Sequence, residues 1–158
     1  MIHEEIGDLM AQARASSSWM GLDLGTKTIG VAVSDRLLSS ATPLHTIKRV
    51  KFSKDAEALL EVIENREIGA IILGLPRNMD GSEGPRCQST RAFGRNLASL
   101  TDLPIGYWDE RLSTVAAERA LLEADTSRKR RAEVIDHVAA GYILQGALDR
   151  ARHIRTVA

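Results

Sequence analysis

The sequence predicts an α/β fold: a mixed five-stranded sheet, three early antiparallel strands and then parallel ones, flanked by helices. Three observations carry that expectation. A period of two runs from Trp19 towards Val50, a continuous β-branched apolar stretch fills Ile68 to Leu75, and helical and strand-like segments alternate from there on.

Taken in order, residues 1–18 read as an N-terminal extension. Ile2, Ile6, Leu9, Met10 and Ala13 recur at helical spacing, and Ser16, Ser17 and Ser18 then make a flexible join. Met20, Leu22 and Leu24 alternate with Gly21, Asp23 and Gly25, and Ile29, Val31 and Val33 repeat the pattern, as two antiparallel strands do. A third strand is expected around residues 44–50, then a helix with Ser53 as N-cap and Ala56, Leu59, Leu60 and Ile63 on one face. The run from Ile68 suits a central strand covered on both faces, and Pro76 stops it. A polar loop, a helix over about residues 88–100, a short strand over 103–108 and a helix capped by Ser113 or Thr114 come next. Residues 126–131 form a basic connector before a last helix from about 132 to 151. The core domain is expected over 19–150, with 151–158 as a tail.

Composition narrows function. The 158 residues suit one ordinary domain, with an apolar fraction of 44% sufficient for a core. Lys+Arg and Asp+Glu are 21 each, which argues against a protein that coats nucleic acid by phosphate neutralisation alone. Aromatics at 4% make a base-stacking platform a poor fit. The single cysteine, Cys87, excludes an intramolecular disulfide and a multi-thiolate zinc cage. No apolar run nears the ~20 residues that span a bilayer, and the acidic start is no secretory signal, so the cytoplasm is expected and a membrane is not.

Three acids stand out. Asp23 sits mid-strand between Gly21 and Gly25, where a carboxylate needs a cation or strong donors and the glycines leave room beside it. An ion pair with Lys27 is the plain alternative. Glu110 closes a strand at the carboxyl end, where ligands of open α/β sheets sit, with Asp109 pointing to the other face. Asp136 shares a helix face with Ala140, Ile143 and Ala147, and N-terminal capping is its plain alternative. Acids from separate elements suit a hard divalent cation, Mg²⁺ or Mn²⁺, of the kind that serves phosphodiester cleavage. Arg128, Lys129, Arg130 and Arg131 lie just before Asp136 and could hold a polyanion, although charge runs are usually solvated faces. Arg77 and Arg111 could add phosphate contacts, and Asn78 with Gly81 and Gly84 a strand-end clamp. A P-loop fails for want of a Gly-Lys-Ser/Thr ending, and no His-Glu-x-x-His occurs.

Four blocks, in order, carry a resemblance. They are Gly21-Leu-Asp23-Leu-Gly25-Thr-Lys-Thr-Ile-Gly30-Val-Ala-Val-Ser-Asp35, Gly74-Leu-Pro76-Arg-Asn78-Met-Asp-Gly81-Ser, Asp109-Glu110-Arg111-Leu-Ser113-Thr114, and Asp136-His-Val-Ala139-Ala140-Gly-Tyr-Ile-Leu-Gln145. Together they resemble the YqgF family, the pre-16S rRNA nucleases also described as Holliday-junction-resolvase-like, over roughly residues 19–150. The resemblance implies a ribonuclease H-like fold, divalent-metal phosphodiester hydrolysis and maturation of the 5′ end of precursor 16S rRNA on a pre-ribosomal particle. Carried over, the catalytic and metal-binding acids would be Asp23, Glu110 and Asp136, with Arg111 as the basic neighbour in its block; on the reading of the residues themselves, Lys27, Arg77, Asn78, Arg111, Lys129, Arg130 and Arg131 are expected towards substrate. The alternatives are a resolvase of branched DNA, which would need a two-fold dimer whose seam the sequence does not display, and a non-catalytic ribosome-assembly factor. An ATP-handling fold also opens with Asp-x-Gly-Thr, but its cleft takes two such domains.

Overall fold

Period-two segments and helices assemble into one six-stranded sheet covered on both faces. The computed structural model describes residues 1–112 and 128–157, with backbone alone for 128–136. Its elements are β1 (Ile2–His3), α1 (Ile6–Gln12), β2 (Ser18–Leu24), β3 (Thr28–Ser34), β4 (Ala41–Lys48), α2 (Phe52–Asn65), β5 (Ile68–Leu75), α3 (Pro85–Ala98), β6 (Ile105–Asp109), a 3₁₀ turn (Glu110–Leu112) and α4 (Arg128–Val157). The strand order is β1-β6-β5-β2-β3-β4. The β2–β3 and β3–β4 pairs are antiparallel; β2–β5, β5–β6 and β1–β6 are parallel.

Among the described residues the sheet has six strands, not five. Ile2 and His3 pair with Ile105 and Gly106, a run too short to leave a period-two signal. Residues 1–18 are built into the fold: Leu9 of α1 is fully buried on the α4 face. The serine run is no flexible join, because the Ser17 hydroxyl donates to the Arg14 carbonyl at 2.6 Å and Ser18 already belongs to β2.

Every residue of β5 is buried, as its continuous apolar run requires of a strand with parallel neighbours and helices on both sides. Edge strand β4 instead mixes half-buried and exposed residues, and tolerates Pro43 because one of its sides needs no ladder donor. Two clusters fill the space above and below. Met20, Leu22, Val31, Ile71 and Leu73 meet Leu59 of α2 and Phe93 of α3 on one face. Trp19, Ala32, Ile72 and Trp108 meet Leu9 of α1 and Ala140, Ile143, Leu144 and Leu148 of α4 on the other.

Element ends differ locally from expectation. Helix α2 starts at Phe52 with Lys51 as N-cap, and Asp55 rather than Ser53 reaches back, accepting the Val50 N–H at 3.1 Å. Helix α3 starts at Pro85, whose missing N–H costs nothing in a first turn. The basic residues 128–131 are helical, not a connector, and α4 runs on to Val157, with Ala151 buried. The helix expected from Ser113 or Thr114 lies outside the described residues.

Candidate active site

Alternation along β2 puts Trp19, Gly21 and Asp23 on the α4 face, and cross-strand register sets what stands beside them. Asp23 pairs with Gly30, and Gly30 with Thr46. On the other side Leu22 pairs with Leu73, so Asp23 lies next to Gly74, which pairs with Trp108. One row across the sheet thus reads Thr46, Gly30, Asp23, Gly74, Trp108. A glycine flanks the acid on each neighbouring strand.

Glu110 enters that space from the turn after β6. A Cβ on Gly74 would lie 3.3 Å from Glu110 Oε2 and would collide with Ile143 Cδ1. Gly74 is therefore the opening through which the Glu110 carboxylate reaches the floor beside Asp23. Asp23 is 4% and Glu110 7% exposed. Both carboxylates are buried and stand by Gly74, and acids brought together from separate elements suit a hard cation. Among the described residues no three His, Cys, Asp or Glu side chains form a metal cage, and the Asp136 side chain lies outside them.

Helix α4 crosses this row. The Ala140 carbonyl and the Leu144 Cβ lie over Gly21, and half-buried His137 places Nδ1 2.9 Å from Thr46 Oγ1. Further along the helix, Gly141 lies against Pro43 and Gln145 Oε1 accepts the Ala41 N–H at 2.9 Å, so α4 runs back along β4, a strand that points the same way as β2. The helix therefore runs antiparallel to β2, with His137 level with Asp23. The backbone of Asp136 is one residue before His137.

Asp109 points elsewhere, as alternation predicts. Its carboxylate accepts Arg111 Nη2 at 2.7 Å and Nε at 3.1 Å, and Arg77 Nη1 lies 3.9 Å away. Arg77 Nη2 meets Glu83 at 3.3 Å, and Arg91 binds both Glu83, at 2.6 Å, and Glu4, at 2.9 Å. Arg77 and Arg111, expected to face phosphate, are thus held by acids at the rim. The chain of ion pairs ties the 76–84 loop to the N-terminal extension. Asn78 braces its own loop, donating to Ser82 Oγ at 3.0 Å, and Gly81 takes φ +89° with the Arg111 guanidinium against it. Lys27 is exposed in the β2–β3 turn, and the side chains of Lys129, Arg130 and Arg131 lie outside the described residues.

The hydrogen bond from Arg111 holds the Asp109 carboxyl below its ordinary value of 3.8. Because the folded value is depressed, this stabilisation is complete above the unfolded value and fades as pH falls through the folded one. Asp109→Asn should cost about 1 kcal/mol near neutrality and progressively less in acid, read by urea unfolding across that range. A cost independent of pH would assign the loss to packing.

Sequence reading alone missed several of these features. Gly30 and Gly74 are ordinary strand glycines until register sets them beside Asp23, and nothing in the local pattern couples Thr46 to His137. Cys87 is buried, and desolvation pushes its thiol up, as suits a structural residue.

The fold and the chemistry have counterparts. The structure of T. thermophilus RuvC in complex with a Holliday junction substrate aligns with a TM-score of 0.52 at 17% identity, covering 89% of this chain and 96% of that one. The architecture is ribonuclease H-like, and fold and family together make the protein a nuclease, an enzyme that hydrolyses phosphodiesters. The chain belongs to the RuvX family, whose model, described as a Holliday junction resolvase, matches residues 17–150. Two of its curated relatives bear the name "Putative pre-16S rRNA nuclease". That of Ruegeria sp. (strain TM1040) is 72% identical over 156 residues, covering 99% of each chain. That of Paracoccus denitrificans (strain Pd 1222) is 66% identical over 154 residues, covering 98% of each. Among the described residues no helix is long and apolar enough to cross a membrane.

Proposed function

We propose that this nuclease is divalent-metal-dependent, with Asp23, Glu110 and Asp136 as its catalytic carboxylates, and that it trims the 5′ end of precursor 16S rRNA on a cytoplasmic pre-ribosomal particle. The observation that carries the reading is the register that sets buried Asp23 beside Gly74, the same glycine that the Glu110 carboxylate approaches, at the carboxyl edge of the sheet. The register of α4 supports the third acid, because His137 stands level with Asp23. The substrate rests on the names of the relatives.

The donor set fits Mg²⁺ or Mn²⁺, which prefer carboxylate oxygens and keep waters for exchange with phosphate. Such an ion, when bound, supplies an activated water and charge stabilisation at the leaving oxygen. Asp23, fixed on a rigid strand, would hold one side of the ion. Glu110, on the turn, approaches from the β6 side and closes the floor. Buried walls from Trp108 and Ile143 keep bulk water from screening the two anions.

Branched DNA is the second reading, favoured by the description of the family model. One assay separates the two: a precursor rRNA leader and a four-way DNA junction, each incubated with Mg²⁺ or Mn²⁺ and with EDTA. Metal-dependent RNA cleavage is the expected result. Cleavage of the junction alone would transfer the function to DNA, and cleavage of neither would favour a non-catalytic assembly factor.

A further inference from the structure

Three basic side chains gather at a cavity on the side of β2 away from the acids. This cavity of about 530 Å³ opens between the β2–β3 turn and the first turns of α2 and α3, lined by Arg49, Lys51, Arg86, Thr26, Ser89 and Asp55 among others. Both arginines are anchored to the chain that directly follows Asp23. Arg49 Nη1 donates to the Gly25 carbonyl at 2.7 Å, and Arg86 Nη2 to the Leu24 carbonyl at 3.2 Å. Arg49 also lies over the Phe93 ring, 5.8 Å from its centroid.

The charge there is unbalanced. Asp55 is the one carboxylate in the lining, and its Oδ1 already accepts the Val50 N–H, while Arg49 Nε stands 3.9 Å from Oδ2. Lys51 is the N-cap of α2, and Arg86 is the second residue of α3, a helix with no acid in its first turn. Cations at the positive ends of two helices repel the helix dipoles, and an anion in the cavity would relieve that cost. Hydroxyls from Thr26 and Ser89 are at hand as neutral donors. No Asn or Gln lines the wall, so the site has no amide to read a base edge.

Position then selects the anion. Asp23 and Leu24 are consecutive on β2 and face opposite sides, so the cavity lies just across the sheet edge from the acids. We infer that it binds an internucleotide phosphate of the substrate strand, next to the scissile one, without regard to sequence. This subsite rests on the nuclease reading for its substrate, but its test does not depend on turnover.

The probe is a fluorescent single-stranded RNA of precursor-leader sequence, titrated by anisotropy in EDTA over a range of salt. The Lys51→Gln/Arg86→Gln protein changes two exposed side chains and should keep the wild-type Tm. Binding should weaken about tenfold at physiological salt, and the slope of log K against log salt should flatten by about 1. Neutral methylphosphonates placed one at a time should reveal one position beside the cleavage point that costs wild type affinity and costs the double variant none. Unchanged affinity and slope would overturn the subsite while leaving the nuclease intact. Inorganic phosphate raising the Tm of wild type but not of the variant, with RNA binding equal, would assign the cavity to a free anion and also overturn it. Failure of the nuclease reading would look different: tight RNA binding by wild type with no metal-dependent cleavage.

Discussion

Asp23→Asn is expected to lower cleavage about a thousandfold or more, with the urea midpoint in EDTA unchanged or raised. The rate loss follows from charge: an amide leaves the floor with one anion fewer, and ~4 kcal/mol of lost transition-state stabilisation is about three decades. The stability result follows from burial. Asp23 and Glu110 are both buried and sit beside the same glycine, so removing one like charge relieves repulsion, while asparagine keeps the shape and one acceptor oxygen. A second readout separates metal binding from turnover. Mg²⁺ should raise the Tm of wild type and do so much less for Asp23→Asn, because only a folded state that binds the ion gains from it. Wild-type cleavage by the variant would remove Asp23 from the machinery. A markedly lower Tm would make it a structural ion-pair partner instead.

The second large effect should come from a methyl group at a residue with no chemistry of its own. A Cβ on Gly21 would lie 2.6 Å from Leu144 Cβ and 3.1 Å from the Ala140 carbonyl oxygen. Neither can rotate away, since one is a Cβ and the other is helix backbone. Gly21→Ala must therefore lift α4 from the sheet, at a cost of about 1–3 kcal/mol, or a Tm fall of about 2–4 °C for each kcal/mol. Because α4 carries Asp136 as well as His137, kcat should fall more than KM changes; an ångström of misplacement can cost about a hundredfold. Gly7→Ala is the matched control, since its Cβ meets only Ile154 Cδ1 at an ordinary 3.8 Å inside a helix, and it should be neutral or slightly stabilising. Equal behaviour of the two variants would mean that the helix–sheet contact does not set the site.

Much of this molecule is written in local pattern. Period-two alternation located β2 and β3, the unbroken apolar run located β5, and Pro76 its end, because strand burial depends on which residues lie two apart. The candidate acids were legible for a related reason: carboxylates set in a strand or on an apolar helix face are expensive unless they serve something. Boundaries were less legible. Lys51 rather than Ser53 caps α2, and 128–131 are helical, since tertiary packing outweighs the small preferences that mark helix ends.

The amino-acid order by itself determined the class of fold, the faces of its strands and the residue types able to meet a divalent ion. It could not determine who stands beside whom. That Gly30 and Gly74 flank Asp23, that Asp109 is taken up by Arg111 while Glu110 turns inward, and that Arg49 and Arg86 meet across one cavity are matters of register between segments far apart in the chain. Such neighbours are chosen by the packing of whole faces against one another, a free energy summed over the assembled core that no local window contains.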